Sequence, residues 1–210
     1  MGASGRPRAF DAETALDAAV NTFWRHGYEG TGLAELTEAM NISRPALYRA
    51  FGDKAQLFRT ALERYISRNM GYVEDALSLP TARGVAEAFL TGNAKAVTAS
   101  NSPPGCLSVQ AMVTDEADAF ALLAENRRTI QQRLADRFRQ AVSDGDLAAD
   151  EDPDELARFL ITIATGFAIR AVDGEPRGAL LALARRALAA FPTPPTTDRR
   201  RGINLEGHDT

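Results

Sequence analysis

The sequence predicts an all-α chain of about nine helices, and three observations predict it. Apolar residues recur at three- and four-residue spacing through almost every segment. Helix-starting residues (Asp11, Ser43, Asp53, Asp152) precede these stripes, and glycine or proline follows several of them. No stretch alternates apolar and polar residues as a half-buried strand would, and no internal repeat stands out.

The elements follow in order. DAETALDAAVNTFWRHG starts at Asp11 as N-cap, sets Leu16, Val20, Phe23 and Trp24 on one face, and stops at Gly27. TGLAELTEAMN takes Thr31 as cap and turns Leu33, Leu36 and Met40 inward. Ser43 caps a short helix over 44–51, with Ile42 and Leu47 spaced as a hydrophobic staple. Asp53 caps the next, with Gln56 as capping-box partner, and it runs through Phe58, Leu62, Tyr65 and Ile66 towards Met70.

Past Pro80 a helix over about 82–100 ends in the loop SNSPPG. A long helix is expected from about Asp115 to Gly145, with Leu123, Ile130, Leu134, Phe138 and Val142 as its stripe. Its start is acidic (Asp115, Glu116, Asp118) and its later turns basic (Arg127, Arg128, Arg133, Arg137, Arg139), an order that suits the helix dipole. Asp152, Pro153 and Glu155 open the next helix, and GEPRGALLALARRALAAFP is the last, closed by Pro192. Residues 193–210 lack apolar periodicity and read as a disordered tail.

Composition bounds the function without naming it. The 210 residues carry a net charge of −4, so no global basic field attracts nucleic acid, and residues 1–64 hold as many acidic as basic side chains. The single cysteine, Cys106, excludes an intrachain disulfide. The start MGASGRPRAF lacks the apolar run of a signal peptide. The most apolar segment, 156–172, is shorter than a membrane span needs and contains Arg158 and Arg170. A cytoplasmic protein without a cofactor is the expectation. His26 and His208 with one cysteine make no metal-ligand spacing. His26 reads as a cation at a helix end, and Asp115, Glu116 and Asp118 as a helix start, not as catalytic carboxylates.

The informative stretch is residues 33–51. Two short helices joined by Asn41-Ile42-Ser43 form a helix-turn-helix over 32–51. In that motif the second helix enters the major groove and its first residues meet base edges and phosphates. Leu47 and Phe51 suit the docking face. Arg44 suits phosphate or guanine, Pro45 and Ala46 allow close approach, and Tyr48 and Arg49 suit phosphates. Backbone N–H groups at Thr31, Ser43 and Asp53, and the charge of Lys54, extend the footprint along the flanking backbone. The bland reading of Arg44, Tyr48 and Arg49 is a solvated helix face; the caps and the turn length weigh against it.

Residues 27–58, GYEGTGLAELTEAMNISRPALYRAFGDKAQLF, resemble the TetR/AcrR transcriptional regulators. The likeness lies in Gly27-Tyr28-Glu29-x-Thr31, in Tyr48, and in Phe51-x-x-Lys54-x-x-Leu57-Phe58, and it is close over about 10–66. It implies a DNA-binding domain at 10–66 and an effector-binding and dimerisation domain at 67–192. It also implies a homodimer on a palindromic double-stranded operator, most simply a repressor released by a small molecule. The nearly all-round apolar helix at about 153–172, paired with 176–191, agrees with a helical dimer interface.

Four assignments stay open on the residues alone. Arg6 and Arg8 in the arm 1–9 suit a minor groove or simply a loose terminus. The run Arg199–Arg201 is a weaker case of the same kind. Cys106 is a sensor or a small buried residue. Phe89, Cys106, Met112, Phe120, Leu123 and Phe167 are candidates to line a cavity for a hydrophobic effector, or are plain core. The competing class, a helical ligand-binding protein or enzyme that has lost DNA binding, finds no nucleophile–base pair, phosphate loop or metal set in its favour.

Overall fold

A computed structural model gives the fold and describes residues 11–110 and 117–193, with the side chain of Gln110 outside that description. Ten helices and no strand occupy the described residues: α1 (Ala12–Gly30), α2 (Leu33–Ala39), α3 (Arg44–Phe51), α4 (Lys54–Asn69), α5 (Gly71–Leu77), α6 (Ala82–Val97), α7 (Leu107–Gln110), α8 (Ala117–Ser143), α9 (Pro153–Val172) and α10 (Arg177–Leu188). Helices α1–α4 form the amino-terminal unit. Helices α5–α10 form the larger bundle, with α6, α8 and α9 packed together and α10 laid against α6. Helix α4 belongs to both, packing against α1 and α3 of the one and against α5, α7 and α8 of the other.

The expected caps hold chemically. Asp11 accepts from the Glu13 N–H at 3.1 Å, Asp53 from Gln56 at 2.8 Å, and Asp152 from Asp154 and Glu155 at 2.9 and 3.2 Å. Helix α1 breaks where glycine was expected to stop it: Gly27 sits at φ 69°, ψ 179°, a backbone state closed to side chains, and one short turn follows.

Four expectations are corrected. Thr31 does not cap α2. Gly32 holds that position, while Thr31 is fully buried, its hydroxyl donating to the Gly27 carbonyl at 2.6 Å and its N–H to Tyr28 at 3.3 Å. Helix α6 ends at Val97, whose carbonyl accepts the Gly105 N–H at 2.8 Å and so folds the 100–105 loop back. Helices α5 and α7 were missed; seven and four residues are too few for periodicity to register. The α8 arginines complement no dipole, for none lies in the last turn. They tie neighbours instead. Arg133 forks onto Glu74 at 2.6 Å, Arg137 donates to the Leu79 and Pro80 carbonyls at 2.8 Å, and Arg139 reaches Asp154 at 2.6 Å.

One polar cluster joins α1 to α4. Arg64 Nε donates to Asp17 at 2.9 Å, Arg68 Nη1 to its other oxygen at 2.6 Å, and Arg64 also meets Glu13. Partial burial raises the Asp17 pKa, but hydrogen bonds and charge from Arg64 and Arg68 outweigh it and hold the carboxyl below its ordinary 3.8. A lowered folded pKa adds stability that is complete above 3.8 and is lost as pH falls below it. Asp17→Asn is therefore expected to cost under about 1 kcal/mol near neutral pH, where solvent screens the pair. It should also flatten the stability curve below pH 3.8. Urea unfolding across that range checks both.

Candidate nucleic-acid interface and a second, buried site

Helix α3 is eight residues with one buried side chain, Leu47. Its entry is fixed by a Schellman turn: Asn41 adopts φ 53°, its N–H bonds to Glu38 O, and the Ile42 N–H bonds to Thr37 O, both at 3.0 Å. The Ser43 hydroxyl then accepts from Ala46 N at 3.4 Å. At the exit Gly52 takes φ 75° and its N–H caps Tyr48 O. That φ is a left-handed backbone state that side chains rarely adopt, so the α3–α4 corner favours glycine, and any Cβ there would also displace the Gln56 side chain. Stop and restart are thus one corner, which sets α4 against the end of α3.

With Leu47 held inward, Ser43, Arg44, Pro45, Tyr48 and Arg49 are exposed and Ala46 half-buried. Tyr48 is 49% exposed, unusual for an aromatic side chain in a folded core motif. No ion pair engages Arg44 or Arg49 among the described residues, so two cations and a phenol face solvent together. Lys54 is half-buried, its ammonium 4.2 Å over the Tyr28 ring. Beneath them Phe58 packs edge-on against Phe23 and Tyr28, each at 5.0 Å. His26, expected as a lone cation at a helix end, stands 3.2 Å from Glu35 and ties α1 to α2. Of the eight interface candidates only Thr31 is withdrawn from the surface.

The second site is a cavity of about 40 Å³ among α5–α9 and the end of α4. Of the six effector candidates, Phe89 and Cys106 line it. Leu123 and Phe167 are buried core, Phe120 is 48% exposed, and Met112 lies outside the described residues. So do Arg6, Arg8, Asp115, Glu116, Arg199–Arg201 and His208. The Cys106 thiol is buried, accepting from Tyr65 Oη at 3.2 Å and lying 3.1 Å from Ser108 Oγ. Burial, then the neighbouring thiol, pushes the Tyr65 phenol far above its usual range, so Tyr65 acts as a donor.

Polar lining residues were overlooked. Asn93 falls on the inward stripe Phe89–Asn93–Val97, and an amide on an apolar stripe is a legible signal. Its Nδ2 donates to Tyr72 Oη at 3.0 Å. Tyr72 reaches it because a Cβ on Gly92 would lie 2.7 Å from that of Tyr72; glycine opens the α5–α6 contact. Arg127 donates to Ser108 O at 2.6 Å, and burial lowers its pKa from the usual arginine value. No metal-binding cluster and no helix long and apolar enough to cross a membrane occurs among the described residues.

Comparisons with known proteins agree with this architecture. The family model described as bacterial regulatory proteins, tetR family, matches residues 15–61, and that for the BetI-type transcriptional repressor C-terminal region matches 106–192. The HTH-type transcriptional repressor ComR of Escherichia coli (strain K12) is 33% identical over 193 residues, covering 90% of this chain and 92% of ComR. The repressor BdcR of the same organism is 27% identical over 90% of this chain and 93% of its own. A cysteine mutant of the TetR family transcriptional regulator CifR, complexed with 26bp double-strand operator DNA, superposes with a TM-score of 0.83 at 43% identity, over 89% of this chain and all of that one. From the exposed face of α3, the two matched regions and these relatives, it follows that the chain belongs to the TetR family of bacterial transcriptional regulators.

Proposed function

We propose that the protein is a homodimeric repressor that binds a palindromic operator and leaves it when a small molecule enters the α5–α9 cavity. One observation carries the reading: α3 is pinned by Leu47 so that Arg44, Tyr48 and Arg49 stand outward side by side. The repressor relatives and the operator-bound CifR mutant support it. Dimerisation is supported by α9 and α10, where Ile169, Val172 and Leu183 remain about half exposed. Two-fold pairing through those helices would present two α3 helices to half-sites about 34–36 Å apart. The effector route is supported by α4, which starts at the α3 corner and ends at Met70 on the cavity wall. A ligand that prefers one setting of α4 shifts DNA affinity by that preference and no more.

The test is fluorescence anisotropy with DNA from upstream of the gene. Arg44→Ala is expected to weaken binding by about 1–3 kcal/mol, and Tyr48→Phe by a smaller amount. Each phosphate contact removed should lower the log–log salt slope by about 0.9. Unchanged affinity in both variants, with the fold intact, would exclude this face.

A further inference from the structure

We propose that the cavity selects a short-chain hydroxycarboxylic acid, not a purely hydrophobic effector. Three polar features converge there. Asn93 is only 6% exposed, and its Oδ1 has no hydrogen-bond partner. A buried amide oxygen left bare costs about 1–3 kcal/mol, so the site gains from a ligand donor. A hydroxyl meets this need in either orientation of the amide, since it both donates and accepts. Arg127 is the second feature. Arg127 lines the cavity, and its guanidinium is partly desolvated and donates to the Ser108 carbonyl but meets no carboxylate among the described residues. A desolvated cation favours an anion that can take a forked pair of N–H groups.

The third feature is the way in. A surface cleft of about 430 Å³ shares Arg127, Ile161 and Thr165 with the cavity and adds Arg128 and Gln131. No acidic residue lines either space among the described residues. Arg128 is paired with Glu125 at 3.4 Å, but both are exposed, so the mouth keeps a cationic bias set by Arg127. The cavity holds about three or four waters at about 10–15 Å³ each, so the occupant is small. Phe89, Ile130 and Ala164 face its carbon chain. Binding needs only this lining; its consequence for DNA rests on the regulatory reading above.

The experiment is isothermal titration of the full chain, without DNA, with glycolate, lactate and 2-hydroxybutyrate, set against butyrate and 2-hydroxybutyramide. At least one hydroxy acid is expected to bind, and butyrate and the uncharged amide about tenfold or more weakly than 2-hydroxybutyrate. Arg127→Gln should abolish binding, and Asn93→Leu should leave 2-hydroxybutyrate no better than butyrate, with melting curves confirming folded variants. No binding by any hydroxy acid, or equal binding by the amide, overturns the assignment on the wild-type chain alone. Operator anisotropy is read separately. A chain that binds DNA but none of the acids loses this assignment and keeps the regulator; one that binds the acids but no DNA does the reverse.

Discussion

Phe58→Ala is expected to remove about 3–5 kcal/mol, the usual cost of emptying an aromatic core position. Phe58 is 1% exposed and its ring is the meeting point of the amino-terminal unit, edge-on to Phe23 and to Tyr28. Each ring pair adds about 0.5–1.5 kcal/mol beyond its buried area, so the loss reaches past the cavity itself. Tyr28 would lose its backing, and with it the platform on which Lys54 rests. Native domains are stable by only about 5–15 kcal/mol, so this one change consumes a large part of the margin. Thermal unfolding should show a fall of about 6–20 °C at this chain length. A loss below about 1 kcal/mol would mean that these rings are not the keystone of the unit.

Leu47→Ala is expected to cost about 2–5 kcal/mol but to spend it locally. A helix of eight residues is marginal on its own, and Leu47 is its sole buried side chain. Its amides should therefore exchange as α3 opens, notably the N–H groups of residue 47 and Gly52, which bond to Ser43 O and Tyr48 O. Operator affinity should collapse while α5–α10 stay folded. Arg44→Ala makes the control: it should weaken binding with exchange unchanged. If α3 amides in Leu47→Ala stay as protected as in the wild type, something other than Leu47 holds the recognition helix.

Much of this was legible because the signals are local. Caps at Asp11, Ser43, Asp53 and Asp152 act through hydrogen bonds two or three residues away, and each formed as its residue type demands. The outward set on α3 followed from Leu47 and its spacing. Thr31 misled because threonine serves both ends of helices: here its hydroxyl bonds backwards to Gly27, a choice made by burial under the amino-terminal core and not by sequence. The α8 arginines misled similarly. Dipole order is visible along one helix, whereas Glu74 and Asp154 approach from others. At the buried site Phe89 and Cys106 were visible as candidates and Asn93, an amide legible on the apolar stripe of α6, was passed over, while Arg127 acquires meaning only when α6 and α8 face the same void.

The span of α4 has a mechanical consequence. Sixteen residues make a rod of about 24 Å. Met70, the cap at its far end, borders the void, and its near end joins α3 through the glycine corner. Tilting such a rod by about 5° displaces the opposite tip by about 2 Å, and in the homodimer proposed above the mirrored displacement would double it. Packed interiors resist gradual deformation and switch between discrete arrangements. A swelling of the void too slight to disturb the bundle would thus be magnified into a mismatch with the pitch of the double helix.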